Sequence, residues 1–218
     1  MSLFRSVFVA GVTTIIAILV SSGAAYAFAR FKFKAKNGWL IGLLMSRMLP
    51  TASLIIPYFI LFKDYNLIGT YQGLIITYLG FTIPFATWVL IGYFAALPIE
   101  TERAARIDGC GRFGTLFRVI LPMARSGIVS VAVIIFLLVW GELLMALIIS
   151  TGSPVALFAP VLTSFAQVLG GVISPTLLAT ATVLGLVPIV IIATVFQRYI
   201  TRLKIVDPVT VTEEKPFM

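Results

Sequence analysis

The chain has 218 residues, 60% of them hydrophobic and only 11% charged; soluble domains carry about 25% charged residues, so this is an integral membrane protein rather than an ordinary soluble domain. Its net charge of +8 reads, in such a chain, as Lys and Arg retained in cytoplasmic loops, not as a footprint for nucleic acid. With no histidine and one cysteine, Cys110, most metal sites, histidine-dependent triads and any intrachain disulfide are removed, and neither a metal site nor a catalytic residue is expected.

Roughly 20 apolar residues cross the hydrocarbon core as a helix. The first such run, 7–29, carries no charge and ends at Arg30. A cleaved signal peptide is the competing reading of its position, but neither a long basic lead-in nor a following soluble domain supports it. The second run, 38–62, is apolar apart from Arg47 and a few small polar residues, and the third, 73–97, has no charge. The fourth spans 127–150 with Glu142 as its one charge, and no charged residue occurs from Leu143 to Gln197. The stretches TGSP at 151–154 and GGVISP at 170–175 punctuate that run.

Basic residues set the orientation. Arg30, Lys32, Lys34 and Lys36 follow span one; Arg103, Arg106, Arg112, Arg118 and Arg125 follow span three; both loops are therefore cytoplasmic. Arg198, Arg202, Lys204 and Lys215 lie in the tail, which requires an even number of crossings after Arg125. Two suffice, so the fifth span is 175–197, and 155–173 is expected to be external or partly re-entrant, packed on protein that satisfies its backbone. The expected fold is all-α, with about five transmembrane helices in a membrane domain over 1–205, a cytoplasmic loop at 98–126 between spans three and four, and a cytoplasmic tail at 206–218. This arrangement puts the N-terminus outside.

The 98–126 loop is the most charged segment. Pro98 suits the start of a helix, and Glu100 and Glu102 fall where carboxylates favour the positive end of the helix dipole. Asp108-Gly109 is a stop signal. Beyond it Phe113, Leu116, Phe117 and Ile120 recur at i, i+3, i+4 and i+7 until Pro122 interrupts. The loop thus predicts helix, glycine turn, helix; periodicity alone equally describes an amphipathic connector resting on the membrane.

The segment ERAARIDGCGRFGTLFRVILP resembles the cytoplasmic signature of inner-membrane permease subunits of ATP-binding-cassette importers. More closely, the chain resembles carbohydrate-importer permeases of the maltose-transporter type, through SSGAAYAFARFKFKAK, SRMLPTASLIIPYFILF, IPFATWVLIGYFAALP, VWGELLMALI and FQRYITRLKIVDPV. The resemblance implies that Glu102 to Gly109 forms a coupling helix docking on a separate ATPase subunit. Glu100 and Glu102 open that helix, Ala104 and Ala105 match small residues that allow close approach, Asp108 and Gly109 match its turn, and Leu121-Pro122 closes the motif. It further implies a cell-membrane, multi-pass subunit forming half of a sugar pathway, with an ATP-binding subunit dimer that holds ATP and Mg, a second permease subunit and an extracellular solute-binding protein. Two departures stand out. Arg103 occupies the position of the family's glutamate before Ala-Ala, so a salt bridge made by that carboxylate is lost, reversed in sign or shifted to Glu102. The family's usual six spans include an N-terminal one without a counterpart here, whether by truncation or as a natural five-span form.

The chain contains no G-x-x-x-x-G-K-[ST] phosphate loop, so it is not expected to be an enzyme or to bind a cofactor itself, and the motor must be another polypeptide. Paired carboxylates or a metal constellation for a membrane-embedded enzyme are also missing. A non-sugar permease of the same superfamily, for example one importing a polyol phosphate, and a truncated, inactive membrane protein are the alternatives. Candidate pathway groups are Arg47, Pro84, Trp88, Trp140 and Glu142. Arg47 either is buried and satisfies carbonyls at the turns broken by Pro50 and Pro57, which follow it, or lines the path, and a pair with Glu142 is one possibility. Pro84 and Trp88 suggest a kinked helix with an aromatic toward the path, although such residues are common in membrane helices generally. Glu142 beside Trp140 matches a Trp-Asn-Glu segment of the family, with Gly141 in place of asparagine. Trp39, Tyr58, Tyr65 and Tyr71 fall near the expected interfaces as belt anchors.

Overall fold

The structure, a computed structural model, describes residues 1–150, 155–161 and 175–200. No strand occurs among the described residues. The helices are α1 (Ser2–Arg30), α2 (Lys36–Met48), α3 (Thr51–Asp64), α4 (Tyr71–Ala95), α5 (Ile99–Ile107), α6 (Arg112–Thr115), a π-helical segment (Leu116–Ile120), α7 (Leu121–Met123), α8 (Arg125–Trp140), α9 (Leu144–Ser150) and α10 (Pro175–Ile200).

Length decides which of these can cross a membrane unaided. At about 1.5 Å per residue, the 29 residues of α1 reach about 44 Å and the 25 of α4 about 37 Å, beyond a ~30 Å hydrocarbon core. Among the described residues α1, α4 and the Ala179–Gln197 part of α10 are long and apolar enough, and the number rises to 5 if two bent pairs each count as one span. Where 38–62 was expected as one helix, the chain forms α2 and α3 with a break at Leu49 and Pro50. Proline has no N–H to donate and forces its predecessor out of the α region, and Pro50 itself is extended (φ −65, ψ 129). The 127–150 segment is likewise divided, into α8 and α9, at Gly141 to Leu143.

The chain divides into two compact units, each taking part of α1, α4 and α8. The first holds 1–15, 49–80 and 133–197. In it α3 packs on α9, and the Gly69 N–H, on a residue with φ 73, donates to the Ile149 carbonyl at 2.7 Å. The Phe8 and Tyr71 rings meet edge to face at 5.6 Å. Residues 155–161 lie against protein: the Phe158 N–H donates to Ser6 Oγ at 2.8 Å, and its ring stacks on Trp140 at 6.4 Å. That ring also fills the space over Gly185, where a Cβ would come within 2.5 Å of it. The rest of the expected external segment, 162–173, lies outside the described residues, as does the tail from 201.

Of the described residues, the second unit holds 16–48, 81–132 and 198–200. Here α4 and α8 come very close: a Cβ on Gly127 would sit 2.5 Å from the Tyr93 ring, so only glycine permits the approach. In both units small hydroxyl residues are buried, among them Thr14, Thr77, Ser130 and Ser150. Each donates to the carbonyl four residues earlier in its own helix, at 2.5 to 2.8 Å. Back-bonding of this kind removes the cost of an unpaired hydroxyl in an apolar interior. Large apolar side chains instead face outward, including Phe4, Ile15 and Leu19 of α1 and Val183, Leu184 and Val190 of α10, as a lipid or partner-facing surface requires.

Candidate functional site

The 98–126 segment lies wholly in the second unit. α5 starts after Pro98 with Glu100 and Glu102 in its first turn, and it ends in a Schellman closure. The Cys110 N–H donates to Ala105 O at 2.9 Å and the Gly109 N–H to Arg106 O at 3.1 Å. Gly109, at φ 82, supplies the left-handed residue that this motif demands. The second helix does not stop at Pro122 but runs through it to Met123 and bends by 79° into α8. Pro122 cannot donate to the Arg118 carbonyl, and the preceding turn opens into the π-helical segment Leu116–Ile120, a usual accommodation of a missing i→i−4 donor.

Burial sorts the residues that the sequence singled out. On α5, Glu102 and Ala105 face inward while Glu100, Arg103, Ala104, Arg106, Asp108 and Gly109 are exposed. Ile107 is 86% exposed and Phe113 79%, so two large apolar side chains stand out beside the arginines. The expected stripe divides: Leu116 and Ile120 are buried, Phe113 and Phe117 are not. Leu121 is half-buried and Pro122 exposed. Of the two alanines, only Ala104 is therefore placed for close approach to a partner.

Glu102 is 3% exposed. Its carboxylate is ion-paired with the Arg30 guanidinium at the end of α1, and Tyr26 Oη donates to its second oxygen at 3.4 Å. Arg30 also donates from Nη2 to the Leu97 carbonyl at 2.9 Å. One arginine thus ties the C-terminal end of α1 to α5 and to the chain just before it. Sequence reasoning used Arg30 only to orient the first span. The available signal was the SSGAAYAFAR run, in which a tyrosine lies four residues before an arginine and so shares its helix face.

The groups expected at membrane depth fall in different units. Arg47 Nη1 donates to the Phe81 carbonyl at 3.1 Å, and its guanidinium lies 5.3 Å from the centre of the Phe85 ring. Ser21 Oγ donates to the Ile83 carbonyl at 3.1 Å. Pro84 sits inside α4, where its missing N–H disturbs the ladder of the preceding turn. The carbonyl that Arg47 reaches thus lies in α4, in the turn before Pro84, and not at Pro50 or Pro57. Trp88, one turn on, is half-buried. Glu142, in the first unit, accepts with its carboxylate from the Met145 and Ala146 N–H groups, each at 3.1 Å. It satisfies the otherwise orphaned amides at the start of α9. The Tyr78 phenol lies within electrostatic reach of it. Trp140 is buried between Phe136, stacked at 6.0 Å, and Phe158.

Apolar helices, three of them long enough among the described residues to cross a bilayer unaided, define an all-α membrane-embedded protein. The model of the family described as "Binding-protein-dependent transport system inner membrane component" matches residues 17–205, and the chain belongs to that family of permease subunits. It is 32% identical over 206 residues to the trehalose transport system permease protein SugB of Mycobacterium tuberculosis, covering 91% of this chain and 73% of that protein. Over 196 residues it is 34% identical to the trehalose/maltose transport system permease protein MalG of Thermococcus litoralis, covering 90% and 70%. The sulfoquinovosyl glycerol transport system permease protein SmoH of Agrobacterium fabrum is 33% identical over 196 residues, covering 89% and 68%. Among solved structures, a bacterial ABC transporter that imports the polysaccharide alginate superposes with a TM-score of 0.71 at 18% identity, covering 91% of this chain and 74% of that one. The MetNI methionine ABC transporter gives 0.67 at 16% identity, covering 93% and 96%. At these identities the structures speak for the fold.

Proposed function

We propose that this chain is the permease subunit of an ATP-driven sugar importer, and that α5 is the helix through which a separate ATPase subunit moves it. The observation that carries the coupling reading is the two-sidedness of α5. Its inner face is fixed to α1 by Glu102 and Arg30, while its outer face presents Arg103, Ala104, Ile107 and Asp108 to the cytoplasm. A helix anchored on one side and bare on the other transmits both push and pull from whatever grips it. The sugar reading is supported by the relatives, whose names specify trehalose, maltose and a sugar-derived glycerol conjugate. ATP and Mg would be held by the motor subunits, a second permease would complete the pathway, and an extracellular solute-binding protein would deliver the sugar.

The test is uptake of radiolabelled trehalose or maltose into cells carrying the whole transport system. Gly109→Pro cannot adopt the φ of 82 and loses the N–H that closes α5, and Ala104→Arg adds bulk to the outer face. Both variants should insert normally but lose uptake and co-purification of the ATPase subunit. Undiminished uptake in both would refute the coupling role of α5; uptake of neither sugar by the unaltered system would refute the sugar reading.

A further inference from the structure

Beneath α5, in the second unit, lies a cavity of about 530 Å³ lined by Tyr26, Arg30, Phe31, Lys32, Phe33 and Ile99 together with Glu102, Arg106, Arg112 and Thr115. Four cationic side chains and one carboxylate meet there, and the carboxylate is committed to Arg30. The other two guanidiniums are held by neutral groups. Arg112 lies over the Phe31 ring, 4.8 Å from its centre, and Arg106 Nε is 3.5 Å from the backbone carbonyl of Glu102. Like charges gathered at one wall repel, and an anion placed among them converts that repulsion into charge-assisted hydrogen bonds. The volume falls in the range of small-ligand sites. Arginines offering forked donors beside aromatic rings suit a phosphate that carries an organic group.

We propose that this cavity binds a phosphate group, with Arg106 and Arg112 as its principal ligands and Lys32 as a third. The phosphate belongs either to a soluble phosphate ester or to the headgroup of an acidic phospholipid. The site is independent of the coupling role proposed for α5, whose outer face is a different surface. Occupancy would bridge α5, α6 and the chain after α1, stiffening the loop from within.

The test uses the full-length chain in nanodiscs of phosphatidylcholine alone, with binding of radiolabelled inorganic phosphate and then glycerol 3-phosphate measured by equilibrium dialysis. Saturable binding of about one phosphate per chain is expected, weakened about tenfold or more in Arg106→Ala/Arg112→Ala, since each such charge-assisted bond contributes enough for that change. Arg118→Ala, an exposed arginine that does not line the cavity, should leave it unchanged. A second set of nanodiscs containing phosphatidylglycerol separates the sources: competition there supports a lipid headgroup, and undiminished binding supports a soluble ester. Absence of saturable binding in phosphatidylcholine, or equal binding by the double variant, would overturn the proposal.

Discussion

Removing the Glu102 carboxylate while leaving Arg30 in place is the most informative single perturbation of this molecule. The two side chains are only 4% and 9% exposed, so Glu102→Ala leaves a guanidinium buried with no counter-charge and with one remaining contact, to the Leu97 carbonyl. Breaking a buried pair from one side costs about 3–5 kcal/mol, whereas replacing both members by apolar residues of similar volume is often neutral. Glu102→Ala should therefore lower the thermal unfolding midpoint of the detergent-purified chain, and Glu102→Leu/Arg30→Met should restore most of it. Arg30→Glu/Glu102→Arg, which keeps both charges, should fall between. The assay is a fluorescence-detected thermal melt with a double-mutant cycle. A coupling energy below about 1 kcal/mol, the range of exposed pairs, would refute the buried latch. The same cycle separates two roles for this carboxylate. If Glu102 contacted the ATPase subunit directly, Glu102→Gln would abolish co-purification at an unchanged melting point. The inward geometry requires the melting point to fall.

Three further outcomes follow from named contacts. Arg103→Glu, at an exposed position, should change stability by less than about 0.5 kcal/mol, yet weaken ATPase co-purification and alter its salt dependence; unchanged binding at every salt concentration would exclude Arg103 from the interface. Gly127→Ala drives a Cβ into the Tyr93 ring and should destabilise by about 1–3 kcal/mol through overpacking, read as a lower melting point that Gly127→Ala/Tyr93→Leu partly restores. Glu142→Ala removes the acceptors for two amides at the start of α9 and should cost about 1 kcal/mol, the usual loss for an N-terminal cap, with Glu142→Gln losing less; equal melting points for all three forms would refute the capping role.

The parts legible from sequence were those governed by local rules. Apolar length located α1 and α4, and Asp108-Gly109 located the end of α5, because a positive φ at glycine is a property of a few adjacent residues. What was not legible depended on partners distant in the chain. Nothing near Glu102 shows that it turns inward to Arg30, 72 residues away, rather than outward in place of the acid missing at position 103. The backbone partners of Arg47 and Glu142 were equally hidden: a carbonyl of α4 for the one and the amides at the start of α9 for the other. Pro50 and Gly141 were visible as residues, but whether a helix bends through such points or stops at them is settled by packing. Pro122 shows the opposite outcome, since the helix absorbs it by widening.

The buried hydroxyls carry a mechanical consequence. Thr14, Thr77 and Ser150 spend their hydrogen bonds on carbonyls of their own helices, so those bonds travel with the helix. Sliding one helix along its neighbour breaks none of these i→i−4 bonds. At Pro84 the situation differs. Ser21 and Arg47, from two other helices, grip carbonyls of α4, and relative movement there must break polar bonds. Within the second unit this part of α4 is pinned to α1 and α2, so it resists being drawn past them.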